Sequence, residues 1–241
     1  MGPAQLFARF CPQTATGLAP MGQTVGVVLS GCGYLDGSEI HEAVLTLYLL
    51  ERQGFSVRCF APDKPQRDVM DHVAGQPMAQ TRNVLAESAR IARGQVEKLS
   101  VATMQNLDAL VLPGGYGAAK NLSDVALLGA QAQVDPDLLR LIGEAVTAKK
   151  PIVAICISPV IVAVALHKLG RSAQLTIGND EGTAQIIQTL GCSHKPCGVR
   201  DAVVDADMRV ISTPAYMLGP SIHEVAQGIE AAVWALVCML R

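Results

Sequence analysis

The sequence predicts a single α/β domain in which helices cover both faces of a mainly parallel sheet. Short apolar runs alternate along the chain with segments whose apolar residues recur at helical spacing. Because these runs are apolar throughout, both faces of each strand should be buried, which is typical of a parallel sheet. The 241 residues are 50% apolar and 17% charged, which is enough to fill one core. We therefore expect one domain over residues 23–241, after a flexible N-terminal extension over residues 1–22.

The first half of the domain supplies two strand–helix units. Residues 25–29 form an apolar run that predicts the first strand, and residues 39–53 follow with helical spacing. That helix should end at Gly54, since glycine tolerates the left-handed conformation after a helix C-terminus. Residues 57–61 predict the second strand, and residues 83–94 predict a short helix with Leu85, Ala89 and Ile91 inward.

The second half continues the alternation. The apolar run 109–112 predicts a strand, and residues 136–149 predict a helix with Pro136 in its first turn, where proline is well tolerated. A strand over 151–155, a helix over 159–169 and a further helix over 183–190 follow. Residues 202–204 and 209–212 predict a strand pair around a turn at 205–207. The closing helix over 221–240 begins with a capping box formed by Ser221 and Glu224.

Cys156 is the most informative residue of the chain. It stands between the strand over 151–155 and the helix over 159–169, a strand-to-helix corner typical of a nucleophile elbow. A thiol at this corner lies at the positive N-terminal end of a helix, beside backbone N–H groups that have no partner within the helix. That setting lowers a cysteine pKa, so we expect a reactive thiolate.

Two further loops leave predicted strands at the same edge of the sheet, where ligands bind in such folds. Glu42, in the first turn of a helix, either offers its carboxyl group to the thiol or only complements the helix dipole. The glycines Gly114 and Gly115 either let backbone N–H groups approach a ligand, as an oxyanion hole requires, or form a plain turn. Lys120 is a candidate polar contact in that loop, or simply begins the next segment.

Several classes of function have little support. The glycines of residues 31–37 do not have the spacing of a dinucleotide fingerprint, and two glutamates would face the pyrophosphate. The net charge is −2 without a long basic run, which disfavours nucleic-acid binding. The apolar stretch over 151–166 is too short to cross a membrane. Residues 192–197 hold three candidate metal ligands without a fourth, so we expect neither a metal nor a cofactor.

The N-terminus bears on localisation. The first twenty residues contain no acidic residue, as in a mitochondrial transit peptide, but Arg9 is their only basic residue, whereas transit peptides are rich in arginine. We therefore expect a cytoplasmic protein, with mitochondria as the alternative if this extension is a transit peptide.

Taken together, the motifs resemble the ThiJ/PfpI superfamily of class I glutamine amidotransferase-like proteins, and most closely its ElbB-like branch. The matching blocks are residues 30–33 with 36–42, 60–63, 82–94, 113–122 and 156–159. The resemblance implies a flavodoxin-like three-layer sandwich that forms a homodimer. It also implies that Cys156 is the reactive thiol, that Glu42 shares a proton with it, and that the N–H groups of Gly115 and Ile157 are the oxyanion donors.

Members of this superfamily include cofactor-free glyoxalases, so the resemblance implies conversion of small 2-oxoaldehydes such as methylglyoxal or glyoxal to hydroxy acids. The alternative is a non-catalytic redox sensor or protective protein that uses a reactive Cys156. A glutamine amidotransferase or peptidase is less favoured, because Ile157 follows the cysteine where hydrolytic relatives often place a histidine. Asn179 likewise stands where close relatives often have a histidine, and an amide side chain cannot act as a base.

Overall fold

A seven-stranded sheet forms the centre of the structure, a computed structural model that describes residues 22–241. The strands, in chain order, are β1 (Thr24–Val28), β2 (Ser56–Ala61), β3 (Met70–Asp71), β4 (Gln76–Pro77), β5 (Val96–Lys98), β6 (Ala109–Leu112), β7 (Ile152–Ile155), β8 (Gln174–Leu175), β9 (Ser193–His194), β10 (Val203–Asp205) and β11 (Val210–Thr213). The central sheet has the order β10-β11-β7-β6-β1-β2-β5, and every neighbouring pair is parallel except β10 and β11. The remaining strands form two small two-stranded sheets.

Helices cover both faces of this sheet. They are α1 (Ile40–Arg52), α2 (Val84–Ile91), α3 (Tyr116–Asn121), α4 (Val125–Leu128), α5 (Pro136–Thr147), α6 (Ser158–Lys168), α7 (Glu181–Thr189) and α8 (Ile222–Leu240). Helices α1, α2 and α8 bury their apolar residues with one face of the sheet, while α5, α6 and α7 do so with the other. Within β6, Leu110 and Leu112 pack on the face covered by α5, α6 and α7, whereas Val111 packs on the face covered by α1, α2 and α8. Successive side chains of a strand point to opposite faces of its sheet. The predicted flavodoxin-like three-layer sandwich is confirmed.

The short and polar secondary-structure elements were not predicted from the sequence. Strand β5 is a three-residue edge strand, and β3 and β4 form a two-residue hairpin, so none of them has a readable period. The segment after β6, expected as a glycine loop, contains the short helix α3. Residues 1–21 of the expected N-terminal extension lie outside the described residues.

Helix α8 is long and apolar enough to cross a membrane by length and composition alone. In the fold it packs instead on α1 and β11, and residues such as Val225, Ile229 and Leu236 are fully buried. Its apolar character is therefore explained by the core. The predicted cap is also present, because Ser221 Oγ accepts a hydrogen bond from the backbone N–H of Glu224 at 3.4 Å.

Candidate active site

Cys156 lies at a strained corner between β7 and α6. Its φ of 62° is in the left-handed region that side chains other than glycine rarely adopt. Two hydrogen bonds hold the corner: the Cys156 N–H donates to the carbonyl of Thr213 at 2.9 Å, and Ser158 Oγ donates to the carbonyl of Pro113 at 2.8 Å. Such strain persists only where the surroundings enforce it, and it concentrates at functional sites. The elbow that the sequence predicts is present.

Glu42 is fully buried beside the thiol. It lies in the first turn of α1, and its carboxyl group is hydrogen-bonded to the Cys156 side chain. The backbone N–H of Gly114 donates to Oε2 at 3.0 Å, and the backbone N–H of Tyr216 donates to Oε1 at 3.2 Å. Of the two interpretations of Glu42, the structure therefore favours a carboxyl group delivered to the thiol.

Burial changes the protonation of this carboxyl group. Loss of solvent, and next the negative charge of Glu39, raise the pKa of Glu42 to about 8, although the hydrogen bonds it accepts oppose the shift. Glu42 is therefore largely protonated at neutral pH and titrates just above it. A group of this kind can both accept and return a proton during a reaction.

The thiol of Cys156 does not have the low pKa that its position predicts. Burial raises its pKa well above the ordinary value, and the adjacent Glu42 raises it further. The N–H groups of Gly115 and Ile157 donate to the sulfur and act in the opposite direction. The expectation of a low pKa is wrong, because the helix N-terminus is outweighed by the loss of solvent and by a neighbouring carboxyl group.

The two glycines of the loop after β6 have different roles. A side chain on Gly114 would overlap both Cβ of Cys156 and Oε2 of Glu42, so only glycine allows the loop to pass this close. Its N–H is already donated to Glu42. Gly115 has a φ of 99°, which also favours glycine, and its N–H points to the sulfur. The geometry places Gly115 and Ile157 as the two donors at the thiol.

Lys120, the remaining predicted binding residue, is not brought to the thiol. Its ammonium donates to Asp68 Oδ2 at 2.9 Å and to the carbonyl of Leu35 at 3.3 Å, and it stands over the ring of Tyr116. These contacts engage the side chain, and it does not line the cleft described next.

A cleft of about 780 Å³ opens above Cys156, and several residues that line it are not among those predicted from the sequence. Tyr216 lies in the loop after β11, which is a further strand-end loop beside the three that the sequence indicated. His41 also lines the cleft, and its Nδ1 is 2.8 Å from the Tyr216 hydroxyl. Glu39 lines the cleft as well and caps α1 by accepting the Glu42 N–H at 2.7 Å. The signal for Tyr216 was its place at a strand end, since β11 itself was predicted.

Within residues 22–241 no group of three or more histidine, cysteine, aspartate or glutamate side chains is placed to hold a metal ion. In the segment considered for metal binding, Nε2 of His194 accepts the N–H of Ile177 at 3.4 Å. Cys192 is buried in the core.

Comparison with known proteins places the chain in a family. No family model matches it. The rat "ES1 protein homolog, mitochondrial" is 44% identical over 219 residues, covering 87% of this chain and 81% of that protein. The chain belongs to the ES1 family of glutamine amidotransferase-like proteins. The human member, "glutamine amidotransferase-like class 1 domain-containing protein 3, mitochondrial", is also 44% identical over 219 residues, with 87% and 80% of the two chains covered.

A solved structure supports the same assignment. The isoprenoid biosynthesis protein with an amidotransferase-like domain from Ehrlichia chaffeensis superposes with a TM-score of 0.85 at 39% identity. The match covers 91% of this chain and all of the other. The names of the human relative and of this structure agree with the class I glutamine amidotransferase-like assignment that the motifs predicted.

Proposed function

We propose that this ES1-family protein is a cofactor-free glyoxalase-type enzyme that converts 2-oxoaldehydes to 2-hydroxy acids. The observation that carries the proposal is the buried contact between the Cys156 thiol and Glu42, whose pKa is about 8. A base that titrates near the working pH is suited to moving protons between atoms of one substrate, and such catalysis is typically worth about 10²–10⁴-fold in rate.

The reaction begins with addition of the thiol to the aldehyde. Ionised Glu42 takes the thiol proton as sulfur forms a bond with the aldehyde carbon, and the carbonyl electron pair moves to oxygen. The N–H groups of Gly115 and Ile157, which point to the sulfur at rest, then face the new oxyanion. Glu42 returns the proton to this oxygen, which completes a neutral hemithioacetal and leaves the carboxylate free again.

The same carboxylate then moves a second proton. It removes the hydrogen of the former aldehyde carbon, which gives an enediolate whose charge lies on the former ketone oxygen. The hydroxyl proton of the first carbon passes to that oxygen, and Glu42 returns its proton to the neighbouring carbon, which gives a thioester of the hydroxy acid. Water hydrolyses the thioester, and the thiol is released with the acid. One water is consumed overall, with no external oxidant or reductant.

His41 and Tyr216 supply the polar group that the second carbonyl requires. Burial, and then the charges of Glu39 and Glu42, raise the pKa of Tyr216, so its hydroxyl, 2.8 Å from Nδ1 of His41, stays protonated. When that hydroxyl donates to Nδ1, the imidazole carries a proton on Nε2, and that N–H would donate a hydrogen bond to the ketone oxygen as the enediolate forms.

The alternatives have less support. A peroxide sensor requires a persistent thiolate, whereas the pKa of Cys156 is raised. Amide hydrolysis by a Cys–His pair requires a histidine hydrogen-bonded to the nucleophile, whereas the Cys156 thiol is hydrogen-bonded to Glu42, and Nδ1 of His41 is hydrogen-bonded to Tyr216.

The localisation and assembly of the protein are also proposals. Both mammalian relatives are named as mitochondrial, which supports the mitochondrial alternative over the cytoplasm for this chain. A homodimer is supported by exposed apolar residues one turn apart along α1, namely Ile40, Val44 and Tyr48. Fractionation of cells and light scattering of the purified protein test these two statements.

Lactate formation from methylglyoxal tests the activity directly. We expect turnover in the wild type, none in Cys156→Ser, and a loss of at least about 10²-fold in Glu42→Gln. Cys32→Ser is the matched control, because Cys32 is a partly exposed free thiol that does not line the cleft. Turnover that survives in Cys156→Ser, or is absent from the wild type, would end the proposal.

A further inference from the structure

The cleft is much larger than the reacting group requires. Its volume of about 780 Å³ is in the range of pockets that enclose drug-sized ligands, roughly 300–1,000 Å³. Methylglyoxal would occupy only the part beside Cys156. The remaining space is shaped largely by α4 and α7, which play no part in the proposed chemistry.

The walls of this additional space are mainly apolar and aromatic. Val125 of α4, Val160 of α6 and Ile186 of α7 line one side, and Met217 lies on the turn after β11. Tyr34 and Tyr116 also line the cleft and are 48% and 53% exposed, so their rings are open to a ligand. Such walls favour an apolar or aromatic body over a compact hydrated molecule.

The charges of the cleft have one sign. Among the described residues that line it, Glu39 and Asp180 are acidic, His41 is the one imidazole, and no lysine or arginine is present. Hydrogen bonds from Thr183 hold the pKa of Asp180 below its ordinary value, so this carboxylate is ionised at neutral pH. Lys120, the nearby cation, is engaged by Asp68 outside the cleft. A carboxylate or phosphate on the substrate would find no charged partner here.

We propose that the cleft selects an aldehyde with an extended apolar or aromatic body and a cationic group at its far end, and disfavours anionic aldehydes. The statement rests on the proposed function for its reacting group. Asp180 would pair with the cation, and the ring of Tyr34 would add an aromatic face, which attracts a positive charge; the Tyr116 ring already faces Lys120.

Para-substituted phenylglyoxals test this selectivity in the full-length protein. We expect the kcat/KM for the trimethylammonium compound to exceed that for the carboxylate compound by at least about tenfold. Asp180→Asn should reduce this ratio about three- to fivefold, the effect of one exposed ion pair. Asparagine also caps helices, so α7, whose Thr183 N–H now bonds to Asp180 Oδ1 at 2.7 Å, should persist. Asp137→Asn, an acidic position at the start of α5, is the control and should leave the ratio unchanged.

A second measurement separates substrate class from turnover. The corresponding methyl ketones lack the aldehyde, and calorimetry on Cys156→Ser measures their binding without reaction. Tighter binding of the cationic ketone, weakened in Asp180→Asn, supports the proposal even if methylglyoxal is not turned over. Equal kcat/KM values for the two glyoxals, equal binding of the two ketones, or a preference that Asp180→Asn leaves intact would overturn it.

Discussion

Replacement of Glu42 by glutamine should change how the stability of the fold depends on pH. Burial first, and then the charge of Glu39, raise the pKa of Glu42 from 4.5 to about 8 in the folded protein. Between these values the folded state keeps a proton that the unfolded chain has lost. The free energy of unfolding contributed by this group is therefore fully present below pH 4.5 and is lost as pH rises to about 8. At about 1.4 kcal/mol per pKa unit, the loss is of order 5 kcal/mol.

Glutamine has no proton to lose, but it disturbs the local hydrogen bonds. Both carboxyl oxygens of Glu42 accept a backbone N–H, from Gly114 and from Tyr216, and the amide nitrogen of glutamine cannot accept either. We expect Glu42→Gln to be less stable than the wild type at about pH 5, by about 1–3 kcal/mol for one unsatisfied donor. Above about pH 8 the wild type has lost the unfolding free energy contributed by protonated Glu42. This loss is larger than the cost of the unsatisfied donor in the variant, so the variant should become the more stable protein.

Urea unfolding followed by circular dichroism between about pH 5 and pH 9 measures this directly. The curves of unfolding free energy for the wild type and Glu42→Gln should cross. Glu144→Gln is an informative control, because the pKa of Glu144 is shifted in the opposite direction. Burial raises this pKa, but hydrogen bonds from Met104 and Arg140 outweigh burial and lower it. Its difference from the wild type should therefore change only as pH falls into the acid range. Parallel curves for Glu42→Gln and the wild type would refute a pKa near 8 and the burial argument with it.

Three further predictions concern the same site. Gly114→Ala should destabilise the fold by about 1–3 kcal/mol or more and abolish alkylation of Cys156, because the new methyl group overlaps the thiol and Glu42; thermal unfolding and iodoacetamide labelling measure both effects. Tyr216→Phe should lower turnover of methylglyoxal while the unfolding temperature changes little, since the lost hydroxyl contacts an exposed His41; an unchanged kcat would remove His41 from the mechanism. Alkylation of Cys156 should reach half its maximal rate above pH 9 in the wild type and at a lower pH in Glu42→Gln, because a neighbouring charge has been removed; identical profiles would contradict the coupling.

The parts of the site that lie close together along the chain could be predicted from the sequence. The elbow is a local signal, in which an apolar strand, one corner residue and a helix with proline in its first turn follow each other directly. The glycine loop after β6 could also be predicted, but the different roles of its two glycines could not. Only the folded arrangement shows that Gly114 is required by its closeness to Cys156 and Glu42, whereas Gly115 supplies an N–H to the sulfur.

Features that depend on tertiary contact could not be read in the same way. His41 and Tyr216 are 175 positions apart, and only the adjacency of α1 to the loop after β11 brings them together. Lys120 is in a strand-end loop like the other candidates, yet its ion pair with Asp68 removes it from the cleft. The prediction of a low pKa for Cys156 failed for the same reason. The helix N-terminus can be read from the sequence, but the complete burial of Glu42 beside the thiol cannot.

The raised pKa of the thiol distinguishes between its two main uses. A sensor must react from its resting state, so it depends on the fraction of thiolate already present, which burial and Glu42 keep small. An addition to an aldehyde does not, because the thiol proton can pass to the adjacent carboxylate as the carbon–sulfur bond forms. The negative charge then moves from the pair to the substrate oxygen, where the N–H groups of Gly115 and Ile157 are already placed. The burial that suppresses the free thiolate therefore strengthens those hydrogen bonds, since they act in a site with little water. For this reason the same geometry that weakens the sensor hypothesis favours carbonyl chemistry.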